Sequence, residues 1–183
     1  MSAPLFKAMT LDQFLTWEDG QALRHEFDGV QAVAMAGGTE AHMAIQVNLA
    51  IAVGGRLRGK ACRFANSDFK IEVMGRIRYP DGFVYCSPFQ PGRTMISDPV
   101  VVFEVLSDQT SGVDVITKNE EYANTPSIRR YVILAQDRRG GTMFERVGDD
   151  WVGHILAADS TLHMPEIDVA LPLAELYEGV EFA

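Results

Sequence analysis

The pattern of apolar and polar positions changes period several times along the chain, and each change predicts an element. Thr10-Leu-Asp-Gln13 has the form of a capping box, which predicts a short helix through about Trp17 with Glu18-Asp19-Gly20 as its exit. Residues 24–35 alternate around the turn dipeptide Asp28-Gly29 and read as a hairpin, ended by Gly37-Gly38-Thr39. Over residues 41–58, Met43, Val47, Ala50 and Leu57, with Gly54 between them, recur at spacings of four and three and so share one helical face. This is the longest predicted helix. Residues 61–65, 69–74, 79–86 and 99–106 then form short apolar or alternating runs separated by Asn-Ser, Gly-Arg and Pro-Gly turns, which is the pattern of a sheet. Ser111 opens a second helix over about 114–124, stopped by Thr125-Pro126 because the residue before proline is driven out of the helical region. Residues 130–135 return as a strand, 142–147 and 151–156 as two hairpin strands, and a short helix from about Leu173 closes the chain.

The order helix, three strands, helix, strand predicts an α/β core, a mixed sheet flanked by helices with antiparallel hairpin additions. At 183 residues the chain suits one domain. It divides into an N-terminal helix and hairpin to about residue 38, a core over about 39–136, and C-terminal strands with a short helix over about 137–183. An apolar fraction of 47% with 22% charged residues excludes disorder for most of it. No apolar run approaches the ~20 residues of a membrane span, and Met-Ser-Ala-Pro lacks the form of a signal peptide, so the expectation is a cytoplasmic protein with no membrane partner. Cys62 and Cys86 lie in apolar segments without Cys-x-x-Cys spacing and read as reduced, buried thiols rather than a disulfide or zinc framework.

A net charge of -9 argues against nucleic-acid binding over the whole surface, since such binding is driven by cations that replace phosphate counterions. The charge is unevenly spread. Residues 56–146 hold 14 of the 16 Lys and Arg but only 11 of the 25 Asp and Glu, so Arg56, Arg58, Lys60, Arg63, Arg76 and Arg78 could present a local basic surface.

Within the apolar run Pro99-Val-Val-Val-Phe-Glu104-Val-Leu106 stands one carboxylate. A strand of that composition is normally buried on both faces, so Glu104 needs a partner, a metal or a cleft, unless it faces water from an edge position. Asp81 follows Pro80 at the entry to another apolar strand. Two carboxylates from neighbouring strands suit Mg²⁺ or Mn²⁺, hard cations that prefer oxygen. Asp81 also fits a plain turn role, and Asp114, Lys118 and Tyr122, four apart on the second helix, also fit a surface stripe.

Arg24-His-Glu26-Phe-Asp-Gly29, Met35-Ala-Gly-Gly-Thr with His42 after it, Tyr79-Pro80-Asp81, Phe103-Glu104-Val-Leu-Ser107, and Asp114, Lys118 and Tyr122 followed by Arg130-Tyr-Val-Ile occur in this order over most of the chain. In this the chain resembles the Uma2 family of restriction endonucleases, a branch of the PD-(D/E)XK nuclease superfamily. The resemblance implies a restriction-endonuclease-like core and a Mg²⁺- or Mn²⁺-dependent DNA endonuclease. Asp81 would be the PD acid, Glu104 the second acid, and the main-chain carbonyl of Val105 a further metal ligand, with Glu26 a candidate to complete the site. The lysine of the Glu-x-Lys pattern is absent, because Leu106 stands in its place. Similar proteins take that lysine from the next helix, which makes Lys118 the candidate and Lys70, on an earlier strand, the second choice. His42, Asp114 and Tyr122 are supporting candidates, His42 as a neutral imidazole because a charged one would oppose the helix dipole. Two alternatives stay open: a nuclease-fold binding or interaction protein that has lost catalysis, and a metal-dependent hydrolase of a small phosphorylated substrate. A homodimer is also expected, since two-fold pairing offers one site to each strand of a duplex. The apolar hairpin with Phe27, Val30, Val33 and Met35 could either cover the sheet or supply that contact.

Overall fold

The computed structural model describes residues 8–35, 37–106 and 112–182. The expected opening of the second helix at Ser111 lies outside the described residues. Helix α1 (Leu11–Glu18) begins with the predicted capping box, in which Thr10 and Gln13 each accept from the other's backbone N–H. Strands β1 (His25–Phe27) and β2 (Ala32–Ala34) form the hairpin, and α2 (Glu40–Arg56) follows. Then come β3 (Arg63–Asn66), β4 (Lys70–Val73), β5 (Arg76–Arg78), β6 (Gly82–Tyr85), β7 (Met95–Ile96), β8 (Pro99–Leu106), α3 (Gly112–Ala123) and β9 (Arg130–Ala135). Strands β10 (Gly141–Val147), β11 (Asp150–Leu156), β12 (Thr161–Met164) and β13 (Val169–Pro172) complete the sheets, and a 3₁₀ turn at Leu173–Tyr177 stands where a closing helix is predicted.

The strands divide between two larger sheets. A six-stranded sheet runs β11-β10-β9-β8-β6-β3, with β8 and β9 parallel, and a five-stranded sheet runs β2-β1-β5-β4-β7. The mixed α/β core with hairpin additions is therefore as the sequence predicts. The run expected over residues 79–86 holds strand β6, and its first three residues are a crossing point: β5, which stands where a Gly-Arg turn is expected, pairs with β1 and β4 in the smaller sheet, β6 pairs with β3 and β8 in the larger, and Tyr79-Pro80-Asp81 carries the chain between them. Glycine at position 82 makes the crossing possible, since a Cβ there would lie 2.6 Å from the Phe64 ring. The β12–β13 hairpin was not predicted, although Leu162, Met164, Val169 and Leu171 alternate inward with the period of two that a half-buried strand shows.

Helix α2 packs Ile45, Leu49, Ala52 and Val53 on the larger sheet, among Val84, Val101, Phe103 and Val105. Most of the face that the sequence spacing marks out is the other one. Met43, Val47 and Ala50 are exposed, and Leu57 alone of that set is buried, at the C-cap. On the opposite side of the larger sheet, Tyr122 and Ile128 pack with Phe83, Val102, Tyr131 and Ile133. Of the apolar hairpin residues, Phe27 is buried beneath α1 against Phe14, while Val30, Val33 and Met35 remain exposed.

The two cysteines correct the sequence reading: Cys62 and Cys86 form a disulfide. The antiparallel register of β3 and β6, with Arg63 opposite Tyr85, places them directly across from one another just beyond the last strand pair. No local spacing encodes that juxtaposition, because the register comes from the long-range pairing of the two strands. Thiol titration of the unfolded, unreduced protein is expected to find no free thiol. Reduction should lower unfolding stability by about 2–4 kcal/mol, read as a fall in the urea midpoint. A full thiol count in the unreduced protein would refute the bond.

Candidate active site

The site forms where β8 leaves the core, at the junction of the two sheets. Val105, the residue after Glu104, donates its backbone N–H to Asp81 Oδ2 at 2.6 Å, which ties the crossing point to the end of β8. Asp81 is buried. It is held from a second side by α2, whose first turn is fixed by Thr39, the N-cap, accepting from the His42 N–H. Gln46 Nε2 donates to Asp81 Oδ1 at 2.5 Å, and His42 Nε2 lies 3.3 Å from Asp81 Oδ2. Gly38 is required by this arrangement, since a Cβ there would come within 2.7 Å of His42 Nδ1.

Glu104 Oε1 accepts from Lys118 Nζ at 3.2 Å and from the Tyr122 hydroxyl at 3.4 Å. Both donors project from α3, one helical turn apart. The Lys118 ammonium also lies 3.3 Å from Glu26 Oε1 and 3.7 Å from Asp114 Oδ2. Glu26, on β1, is satisfied in turn by the Tyr79 N–H and by Arg78, which makes a two-pronged contact with Glu121. A buried chain of alternating charge therefore runs from Glu104 through Lys118, Glu26 and Arg78 to Glu121.

The acids outnumber the bases in this chain, and the titration of its members reflects that. Burial, with Asp81 and Glu26 nearby, pushes the Glu104 carboxyl up to about 8 despite the opposing pull of Lys118. Burial alone would lower Lys118, but Glu104, Glu26 and Asp114 outweigh it, so the ammonium is held charged well above its ordinary range. Burial next to Glu104 raises the Tyr122 hydroxyl, which stays a neutral donor. His42 is raised, first by its hydrogen bond with Asp81 and further by the Asp81 and Glu104 charges and the Val105 carbonyl. The helix-dipole argument for a neutral His42 is thus opposed by nearer carboxylates.

Beside Glu104 is a cavity of about 30 Å³ lined by Val105, Leu106, Asp114, Val115, Lys118 and Tyr131, room enough to hold water. Leu106 and Lys118 share its wall. The cation absent from position 106 is therefore present in the same cavity, carried by α3.

Of the residues singled out in the sequence, Asp81, Glu104, Val105, Lys118, Glu26, His42, Asp114 and Tyr122 converge here. Lys70 does not. Its Nζ donates to Glu18 Oε2 at 2.7 Å, and the same carboxylate accepts from the Tyr79 hydroxyl, in a separate buried cluster under the end of α1. Gln46 and Glu121 were missed, and Arg78, expected on a basic surface, is instead buried between Glu26 and Glu121. The spacing of Gln46, one turn after His42, was the available signal, but it gains meaning only once the phase of α2 against β6 is known.

Among the described residues no three His, Cys, Asp or Glu side chains meet at metal-binding distance. No described helix is long and apolar enough to cross a membrane.

Comparison with known proteins gives the family and the fold. The model of the Uma2 family, described as "Putative restriction endonuclease", matches residues 11–174. An uncharacterized protein from Synechocystis is 31% identical over 185 residues, covering 99% of this chain and 97% of its own. A solved structure, titled as a putative nuclease belonging to DUF820 from Anabaena variabilis, superposes with a TM-score of 0.79 at 15% identity, covering 94% of this chain and 99% of that one. It shares the fold.

Proposed function

The chain belongs to the Uma2 family, described as "Putative restriction endonuclease", and from that membership and the geometry around Glu104 we propose that it is a Mg²⁺- or Mn²⁺-dependent endonuclease that hydrolyses DNA phosphodiester bonds. The observation that carries the proposal is the 2.6 Å hydrogen bond from the Val105 N–H to Asp81. It holds the two expected metal-binding acids on adjoining segments, with the lysine of α3 against the second of them.

The donor set fits a hard divalent cation. Asp81, Glu104 and the Val105 carbonyl offer oxygen only, and water or a phosphate oxygen would complete the shell. The raised Glu104 carboxyl points the same way, since a buried acid crowded by others gains from a positive ion. Glu26 is paired with two cations, Arg78 and Lys118, so we assign it to holding that lysine rather than to the metal.

A cation bound there would lower the pKa of an attacking water and screen the phosphate oxygens. Lys118, kept protonated by three carboxylates, orients that water and stabilises charge on the phosphate. Gln46 fixes the orientation of Asp81. Leu106 in the lysine position favours a second reading, a nuclease-fold binding protein without catalysis.

Titration calorimetry with Mn²⁺ followed by a DNA cleavage assay tests the proposal. The wild type is expected to bind the ion and cleave, and Glu104→Ala to lose at least about 100-fold in affinity together with cleavage. Metal binding indifferent to Glu104→Ala would refute the assigned site. Binding without cleavage would leave the second reading.

A further inference from the structure

Helix α2 is apolar on two faces, and the described residues cover only one of them. The larger sheet buries Ile45, Leu49, Ala52 and Val53. The C-terminal segment covers another flank, where Asn48 donates to the carbonyls of Leu176 and Glu178 and Arg56 pairs with Glu175. The side left open carries Met43, Val47, Ala50 and Ile51, all exposed, with 51% of Met43, 47% of Val47 and 69% of Ile51 facing solvent. They form one continuous stripe at spacings of three and four. A surface helix ordinarily turns a polar face outward, and a helix apolar all round is ordinarily buried.

The charges at the ends of the stripe say what buries it. Glu40 opens it and Arg58, just beyond the C-cap, closes it; both are exposed, and neither is ion-paired among the described residues. The two lie about 27 Å apart at helical rise, on either side of a midpoint near Leu49. A surface with opposite charges equidistant from its centre is complementary to itself when rotated by half a turn.

We propose that this stripe is the docking face for a second copy of the chain, with two α2 helices packed antiparallel about a two-fold axis. In that pairing Val47 of one copy faces Ile51 of the other. Met43 lies over Gly55, where nothing stands within 4 Å of the missing side chain. Glu40 meets Arg58 twice, once at each end, as an isologous contact requires. Parallel packing would set like charges against each other instead. Because His42 and Gln46 project from the adjoining flank of the same helix toward Asp81, the pairing holds the two sites on either side of the axis. The inference stands without the nuclease assignment.

Light scattering and sedimentation of the full chain at micromolar concentration test it. A mass of twice 20.2 kDa is expected. Val47→Glu and, separately, Ile51→Lys should each raise the dimer dissociation constant by about 100-fold or more, with circular dichroism unchanged and the melting temperature falling to that of the dissociated wild type at low concentration and no further. Glu40→Lys or Arg58→Glu alone should weaken pairing by about threefold to tenfold, and the two together should restore it. A mass near 20.2 kDa throughout would overturn the proposal, as would a dimer indifferent to both stripe substitutions. A monomer that dimerises only when residues 1–7 are deleted would mean that the chain covers its own stripe, and would also overturn it. Failure of the double charge exchange to restore pairing would overturn the antiparallel arrangement.

Discussion

Replacing Lys118 by methionine is expected to cut DNA cleavage by about a hundredfold to a thousandfold while Mn²⁺ affinity stays within about threefold of wild type. The expected loss is that of an electrostatic group aimed at developing charge, about 10²–10³ in rate. Metal affinity is spared because the lysine contributes no ligand and its removal leaves Asp81, Glu104 and the Val105 carbonyl in place. The shared wall of the cavity supplies a sharper form of the experiment. Since Leu106 and Lys118 line the same cavity, Leu106→Lys in the Lys118→Met background returns a cation to the superfamily position and should recover about tenfold of the lost rate. Single-turnover cleavage at saturating Mn²⁺ reads both effects. Full activity in Lys118→Met would remove this lysine from the mechanism, and loss of metal binding in the same variant would recast it as a structural cation.

The parts of this site that a sequence can announce are those carried by local incongruity. A carboxylate inside Pro99-Val-Val-Val-Phe-Glu104-Val-Leu106 is out of place unless something meets it, and Asp81 after proline at the mouth of an apolar run is a weaker version of the same signal. Lys118 was accessible only through the family resemblance, because a stripe of Asp114, Lys118 and Tyr122 is also what a surface ion pair looks like. What stayed hidden depends on tertiary placement. Helix α2 shows why: its apolar residues lie on both sides, so periodicity cannot tell which face meets the sheet, and the spacing that stands out belongs mostly to the exposed side. Without that phase, Gln46 cannot be seen to reach Asp81. The split of residues 69–86 between two sheets was obscured for a related reason, because the alternation of apolar positions does not say which partner each strand takes. The disulfide was lost with it, since the Cys62–Cys86 pairing follows from the β3–β6 register alone.

The largest stability effect is expected at a residue that touches neither metal ligand. Arg78→Leu should destabilise the protein by about 3–5 kcal/mol, because removing one partner from a buried ionic group leaves the others charged and desolvated. Arg78 is buried, donates twice to Glu121 and once to Glu26, and is held protonated by those acids even though burial alone would lower its pKa. The remaining cations soften the loss without replacing it. Arg76 stays 3.2 Å from Glu121, and Lys118 stays 3.3 Å from Glu26. Introducing Glu121→Leu as well removes the stranded charge, so the double variant should recover most of the deficit, and the double-mutant cycle should give a coupling of about 2 kcal/mol or more. Protonation also relieves a stranded carboxylate. The deficit of Arg78→Leu should therefore shrink as pH falls from 8 toward 5, where the acid form becomes accessible. Urea unfolding of the four proteins at both pH values measures each quantity. If Arg78→Leu costs less than about 1 kcal/mol at pH 8, the chain of alternating charge is a solvated ornament; a full deficit would make it the frame that holds Glu26, and through it Lys118, against Glu104.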